Sequence, residues 1–391
     1  ERLCVGCLRC TVQYPDIVQI LPNPDRKNLG DSYFDPDRVD TVLYEAATGR
    51  VPVRGAGYRG PFAGPGWDSM WTDMSEIVRP TRDGIHGREF ISTAVDLGER
   101  PGWLHFGQDG RPAGETPRSV TLPVPFLFDP PARSLLTPPL VETLVEAAAT
   151  VQTRALVPYA LMKHAAKRPH AVIPIVRPDD EKDFRRYEGS HDLIELEGWD
   201  RSAASALRSR REPALLMIRL PFGADLLEWV ADGFRLFHLT ADYHGRTAKG
   251  FVMDSIREAH DSLVRGGVRE QVTLVGSGGV IAAEHLAKAI ISGLDAVALD
   301  TPLWVALQGK LVGECTEEAG ARVEMPALDA RWAVQRLANL SAAWRDQLLE
   351  VLGAMGMRDV RRLRGEVGRA MLQADLEREA FAEIEGYDLG S

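Results

Sequence analysis

The chain is poor in cysteine, with four in 391 residues, so it cannot be a disulfide-stapled scaffold and must fold by burying a core. It lacks an excess of positive charge. Lys and Arg total 46 against 56 for Asp and Glu, a formal net charge of −10, and no basic block is dense enough to track a phosphate backbone, which argues against nucleic acid as a partner. No apolar run approaches the roughly 20 residues that cross a bilayer, and no charged leader precedes an apolar stretch, so a cytoplasmic protein is expected. Hydrophobic residues at 45% and charged residues at 26% exclude a collagen-like, low-complexity or largely disordered chain.

Three of the four cysteines fall within seven residues, as Cys4, Cys7 and Cys10. This C-x2-C-x2-C spacing is the one with which a ferredoxin loop wraps three thiolates around an iron–sulfur cluster. The ferredoxin pattern calls next for Cys-Pro, and here Tyr14-Pro15 keeps the proline without the thiolate. Cys315 is the remote candidate for a fourth ligand, giving a 4Fe-4S cluster on Cys4, Cys7, Cys10 and Cys315. A 3Fe-4S cluster, a zinc site completed by a histidine, and an empty remnant are the alternatives.

Residues 1–118 are rich in Gly, Pro, Asp and Arg with little periodicity, and divide into a Cys-rich segment (1–50) and an irregular arm (51–118). From Val120, strand-length apolar runs alternate with helix-length amphipathic stretches. The strand candidates are Val120–Phe128, Ala171–Val176, Leu193–Leu196, Ala214–Leu220, Leu236–Thr240, Val272–Val275 and Ala296–Leu299, with an eighth near Leu156. This predicts an α/β chain whose residues 119–315 form a (β/α)8 TIM barrel. Residues 316–391 form a helical extension, with helices over Asp329–Met355 and Leu376–Ile384.

The run Val275-Gly276-Ser277-Gly278-Gly279 ends a late strand and hands over to a helix, which lets backbone N–H groups approach an anion at the helix's positive end. Between the last two strands of a barrel, such a turn matches a phosphate-binding loop. Ser277, Gly278 and Gly279, with Asp300 and Thr301 at the end of the final strand, are the candidate anion site. An ionised Asp300 would repel a phosphate unless it is paired, for instance with Lys249 or Arg246. His238 and His244 lie with Asp242 and Tyr243 at the end of another strand, where barrel enzymes place acid–base groups. Arg219 ends a buried strand and is expected to face the barrel mouth, since a charge there is costly without a partner.

Several further segments carry a family resemblance. They are Ile77-Val78-Arg79-Pro80, Asp83-Gly84-Ile85-His86-Gly87-Arg88-Glu89 and Asp96-Leu97-Gly98 in the arm; Gly276–Gly279 with Glu284-His285-Leu286-Ala287-Lys288-Ala289; and Leu363-Arg364-Gly365-Glu366 with Asp375-Leu376-Glu377-Arg378-Glu379 in the tail. In these the chain resembles the FMN-binding central domain of glutamate synthase, in its short ferredoxin-dependent or archaeal-type form.

The resemblance implies FMN held at the glycine turn beside an iron–sulfur cluster, with electrons passing to a substrate imine. It implies a ferredoxin or another redox subunit as donor, within a hetero-oligomeric complex. Arg219 stands where the family carries Lys, facing the flavin. Other positions depart from the family. Phe128–Leu135 replaces its Met-Ser-Phe-Gly-Ala-Leu-Ser segment, Glu195 or Glu197 replaces a cation, and Asp242–Thr247 replaces a Gly-Gly-Thr-Gly turn. The expected function is an FMN-dependent oxidoreductase subunit acting on a small substrate other than the family's, with catalytic candidates Arg219, His238 and His244. The alternative is a scaffold or electron-transfer subunit of a larger complex that has lost its active-site loops.

Overall fold

The computed structural model describes residues 9–21, 24–52, 64–74, 90–100, 106–111, 113, 117–131, 133–180, 191–208, 214–317 and 320–384. Cys4, Cys7 and the arm motif 77–89 lie outside the described residues.

Eight strands close a barrel: β1 (Phe126–Phe128), β2 (Ala155–Pro158), β3 (Val172–Val176), β4 (Leu193–Glu197), β5 (Leu215–Pro221), β6 (Leu236–Thr240), β7 (Thr273–Ser277) and β8 (Ala296–Leu299). Every neighbouring pair is parallel, and β8 returns to β1. The expected (β/α)8 barrel is therefore present. Most strand candidates match within two residues, but the single strand expected over Val120–Phe128 is two. Ser119–Leu122 pairs antiparallel with Val95–Gly98, and β1 begins only after Pro123 and Pro125, which cannot donate to a ladder.

Side chains alternate across each strand, so one parity of positions fills the barrel. Leu127, Leu156, Ile173, Ile175, Leu193, Leu215, Met217, Leu236, Val275, Ala296 and Ala298 form one cluster inside it. The opposite parity, including Phe126, Val157, Ile194, Ile218, Phe237, Leu274 and Val297, packs outward against the helices. The Val95–Gly98/Ser119–Leu122 ribbon inserts Val95, Leu97 and Leu122 into the interior cluster. Its Gly98 carbonyl accepts from Thr273 Oγ1 at 2.9 Å, at the start of β7, so the ribbon stoppers the N-terminal end of the barrel. Beside it Asp295 accepts from Arg269 (2.9 Å), Arg364 (2.8 Å) and Arg100 (3.0 Å), tying β8, the tail and the ribbon together.

The N-terminal arm, taken as all the described residues before the barrel, is less irregular than its composition suggests, because Pro36–Thr48, within the segment read as Cys-rich (1–50), forms a helix, α1. Asp35 caps it, accepting from the Asp37 and Arg38 N–H groups, with Pro36 in the first turn where no N–H is needed. Around the barrel run α2 (Pro138–Val151), α3 (Arg201–Arg208), α4 (Leu226–Ala231), α5 (Val252–Arg265), α6 (Ala283–Ser292) and α7 (Thr301–Ala306). The tail helix α8 (Ala330–Ala354) lies outside the barrel against α1, α2 and α6. Its buried Trp344 donates Nε1–H to Glu45 Oε2 of α1 at 2.7 Å. A short helix, α9 (Gln373–Phe381), ends the described chain.

Candidate functional site

Continuing the inward parity to the C-terminal strand ends places Asp129, Glu195, Glu197, Arg219, His238 and Ser277 on the barrel's inner side. The register sets Glu197 beside Arg219 and Arg219 beside His238. Arg219 donates Nη2–H to Asp129 Oδ2 (2.7 Å) and Nη1–H to Glu195 Oε1 (2.8 Å), with Nε 3.4 Å from Glu197 Oε1. Arg133 donates to both Glu197 oxygens at 2.9 Å and lies 3.7 Å from Asp129 Oδ1. Burial raises the Asp129 carboxyl, but the Arg219 and Arg133 guanidiniums more than offset it and hold it down at about 2. The Arg219 guanidinium, despite burial, is held charged by Asp129 and Glu195.

His238 is fully buried and its Nδ1 lies 2.7 Å from Glu195 Oε2. With the carboxylate as acceptor, Nδ1 carries the proton and Nε2 presents a lone pair in the neutral ring, an assignment made from the hydrogen bond. His238 Nε2 is 4.0 Å from Asp129 Oδ2, too far for a hydrogen bond, and among the described residues neither His238 Nε2 nor Asp129 Oδ1 has a hydrogen-bond partner. Arg219 and His238, two of the sequence candidates, thus lie together. Asp129 and Arg133, which complete the network, follow β1 in the segment that departs from the family motif; their i,i+4 spacing and the inward parity of Asp129 were the available signals.

His244 belongs to a different cluster. It is buried, with Nε2 2.8 Å from Asp31 Oδ2, and stacks on the Tyr33 ring at 5.3 Å. Asp31 also accepts from the N–H groups of Tyr33, Phe34 and Cys315. Asp31, His244 and Glu314 bring three ligand atoms within 4.8 Å of one another, but Asp31 is saturated by these bonds and Glu314 accepts from Ser32 N–H and Oγ. The trio fastens the arm to the barrel.

The glycine turn lies under the same arm. Gly278 has φ +116° and Gly279 φ +70°, and a Cβ on Gly279 would sit 2.9 Å from the Gly245 Cα. Tyr33 Oη donates to the Gly279 carbonyl at 2.6 Å, and Gly279 N–H goes to the Tyr243 carbonyl at 3.1 Å. At the start of α6, Ile281 N–H points to His285 Nδ1 at 3.3 Å, and His285 Nε2 is 3.2 Å from Asp68 Oδ1. Asp300 is buried and accepts from Thr301 N–H at 2.5 Å. Burial pushes its carboxyl up to about 8, which favours the neutral form over the ionised one and weakens the negative charge beside the turn. It is not paired with the suggested cations: Lys249 bridges to Glu258 at 2.5 Å, and no ion pair joins Arg246 to Asp300 among the described residues. Thr301 Oγ1 is buried without a hydrogen-bond partner among the described residues.

Of the described cysteines, Cys10 is exposed, while Cys315 is buried with Sγ 3.4 Å from the Arg322 carbonyl. Burial pushes the Cys315 thiol up, so it is held protonated, and ligation to a metal requires it to give up both proton and hydrogen bond. An outer-wall cavity of about 490 Å³ lies between α2, His164–Arg168 and the start of α8, away from the mouth. Ion pairs on its walls, Arg168 with Glu146 (2.9 Å) and Lys167 with Glu142 (3.5 Å), agree with a solvated face there.

The residues present fit a flavin in one half. Buried acceptors and a fixed guanidinium at the mouth match the alternating N–H and carbonyl edge of an isoalloxazine ring. At the glycine turn the N–H groups of Gly279 and Ile281, and at the end of β8 that of Thr301, are already engaged by the chain itself.

The conserved region in glutamate synthase matches residues 246–358, which include the glycine turn, β7, β8 and α8. The archaeal glutamate synthase [NADPH] of Methanocaldococcus jannaschii is 34% identical over 110 residues, which are 26% of this chain and 22% of that protein. Its counterpart in Archaeoglobus fulgidus is 23% identical over 443 aligned positions, covering 93% of this chain and 85% of the relative. The archaeal-type enzyme of Dehalococcoides mccartyi is 22% identical with the same coverage. Among solved structures, mandelate oxidase with (S)-2-phenylpropionate superposes with a TM-score of 0.51 at 13% identity, covering 93% of this chain and 97% of that one. A mutant flavocytochrome b2 with pyruvate bound gives 0.50 at 11% identity over 83% of this chain and 84% of that one. At these identities the structural likeness shows the barrel fold alone.

Proposed function

We propose, from its divergent, low-identity relationship to the archaeal-type glutamate synthases, that the chain is a flavin-dependent oxidoreductase of the barrel type acting on a small substrate at the C-terminal mouth. The observation that carries this reading is the convergence there of Arg219, Asp129, Glu195 and His238, with His238 Nε2 and Asp129 Oδ1 buried and without a hydrogen-bond partner among the described residues. Ser277, Gly278, Gly279, Asp300 and Thr301 flank the mouth on the β7 and β8 side, with FMN as the cofactor the relationship suggests. A bound flavin supplies hydride and single-electron transfer.

The chain's own residues prepare the site. Asp129 and Glu195 fix the Arg219 guanidinium in one orientation, so its charge faces a reacting partner without reorganising. Glu195 pins His238 Nδ1, leaving Nε2 to hold or pass a proton. Glu195 and Glu197 answer the guanidiniums that a dicarboxylate would otherwise use, which supports a substrate other than 2-oxoglutarate. Electrons enter, in this reading, through a 4Fe-4S or 3Fe-4S cluster on Cys4, Cys7 and Cys10, with Cys315 or another group completing it, from a ferredoxin or another redox subunit in a hetero-oligomeric complex.

A second reading, a scaffold or electron-transfer subunit of such a complex, is favoured by the ion pairs that cross the mouth and by the engaged N–H groups at the glycine turn. An anaerobic absorbance spectrum with flavin, iron and sulfide quantified on one sample separates the two. Stoichiometric flavin is the expected result; a flavin-free protein that takes up none on reconstitution refutes the enzyme reading.

A further inference from the structure

We propose that the glycine turn Gly276–Gly279 is the receptor for the chain's own N-terminal arm rather than a phosphate socket, so that the mouth selects a flavin by its ring and does not read its phosphate. The inference rests on the flavin reading above for its ligand, and on packing alone for the arm.

Three observations carry it. First, the glycines are required by chain crossing. A Cβ on Gly278 would lie 2.6 Å from the Asp242 carbonyl oxygen and 2.8 Å from the Ala241 Cβ, and one on Gly279 would lie 3.1 Å from Tyr33 Oη. Their positive φ values serve this close approach of β7's turn to the 241–245 loop. Second, three backbone donors of this region are engaged by the chain itself: Gly279 N–H by the Tyr243 carbonyl and Ile281 N–H by His285 at the turn, and Thr301 N–H by Asp300 at the end of β8. Third, the positive end of α6 is already answered. Asp68 reaches His285 on its first turn (3.2 Å) and lies 3.7 Å from Lys288 Nζ, while Arg38 also binds Asp68. Lys288 Nζ donates to the Trp67 carbonyl at 2.8 Å. A dianion entering this space would meet Asp68 and displace the Tyr33 hydroxyl from Gly279.

The test compares FMN, riboflavin and inorganic phosphate on the apo form of the full chain, by quenching of flavin fluorescence and by amide hydrogen exchange. The expected result is dissociation constants for FMN and riboflavin within about threefold of each other, with no displacement by phosphate. FMN binding tighter than riboflavin by about 30-fold or more would overturn the proposal. So would FMN-induced release of the arm, read as faster exchange at Asp31–Phe34. If neither flavin binds, the flavin reading fails by itself, and the arm is judged from Tyr33→Phe. Loss of protection by about tenfold at residues 276–281 then supports the arm as the turn's occupant, and unchanged protection overturns it. Equal melting of the two proteins in their far-ultraviolet signal shows that the variant has folded.

Discussion

Replacing Arg219 by Met removes the cation between two buried carboxylates while keeping an unbranched side chain of similar reach. Asp129 and Glu195 stay behind, 4% and 0% exposed, and breaking a buried pair in this way costs about 3–5 kcal/mol. The depression of the Asp129 carboxyl from 3.8 to about 2 independently corresponds to about 2 kcal/mol, so the two routes agree in scale. The pH dependence gives the sharper test. In the native protein Asp129 contributes stability that is present above its unfolded value and lost only as pH falls through about 2, so its contribution is full and unchanging between pH 5 and 8. Without the guanidinium, burial, already the largest single influence on Asp129, is opposed mainly by Arg133, so the carboxyl rises, the variant binds a proton as pH falls and it recovers part of its loss. Urea unfolding followed by tryptophan fluorescence at pH 5 and pH 8 should show the larger deficit at pH 8. A deficit below about 1 kcal/mol, or one equal at both pH values, would refute the assignment of Arg219 as the cation that neutralises this buried cluster.

Other outcomes follow from the same geometry. Asp300, raised to about 8, costs nothing below its unfolded value and progressively destabilises the fold as pH climbs from about 4 toward 8, so Asp300→Asn should be more stabilising at pH 8 than at pH 5, keeping the cap on Thr301 N–H. A variant no more stable at pH 8 would mean that the carboxyl is ionised in the fold. Gly279→Ala forces a Cβ toward Gly245 at positive φ and should cost about 1–3 kcal/mol in a denaturant titration; a neutral substitution would contradict the close crossing. Asp295→Asn leaves three guanidiniums under-compensated at the barrel's base, and a thermal midpoint unchanged from wild type would show that the lock is not structural.

The barrel is legible in the sequence because its strands are short apolar runs between turn residues, and a period of two also decides which residues point inward. Two features escape that pattern. The prolines at 123 and 125 divide one apolar run into a ribbon strand and β1, and only pairing with Val95–Gly98, distant from composition, reveals the first. Helix α1 hides in a Gly/Pro-rich arm, although Asp35-Pro36 followed by Val39, Val42 and Ala46 carries its cap and its buried stripe. At the site, Arg219 and His238 are legible as polar residues ending apolar strands. Asp129 and Arg133 are not, since residues just after a strand read as loop until the parity is extended. His238 and His244 are near in sequence, yet one faces the barrel interior and the other the arm, because the chain leaves β6 between them.

The ribbon that closes the barrel's base has a consequence for synthesis. Gly98 is made 175 residues before Thr273, the residue that seats it, which at about 5–20 residues per second is roughly 10–35 s of translation. For most of that interval Val95, Leu97 and Leu122 have been made with β7 and β8 still to come, so the nascent chain carries an apolar stopper without a complete vessel. Slower growth temperature or an available chaperone should therefore raise the soluble yield of this chain more than that of a barrel whose base is laid down by its last-made segment.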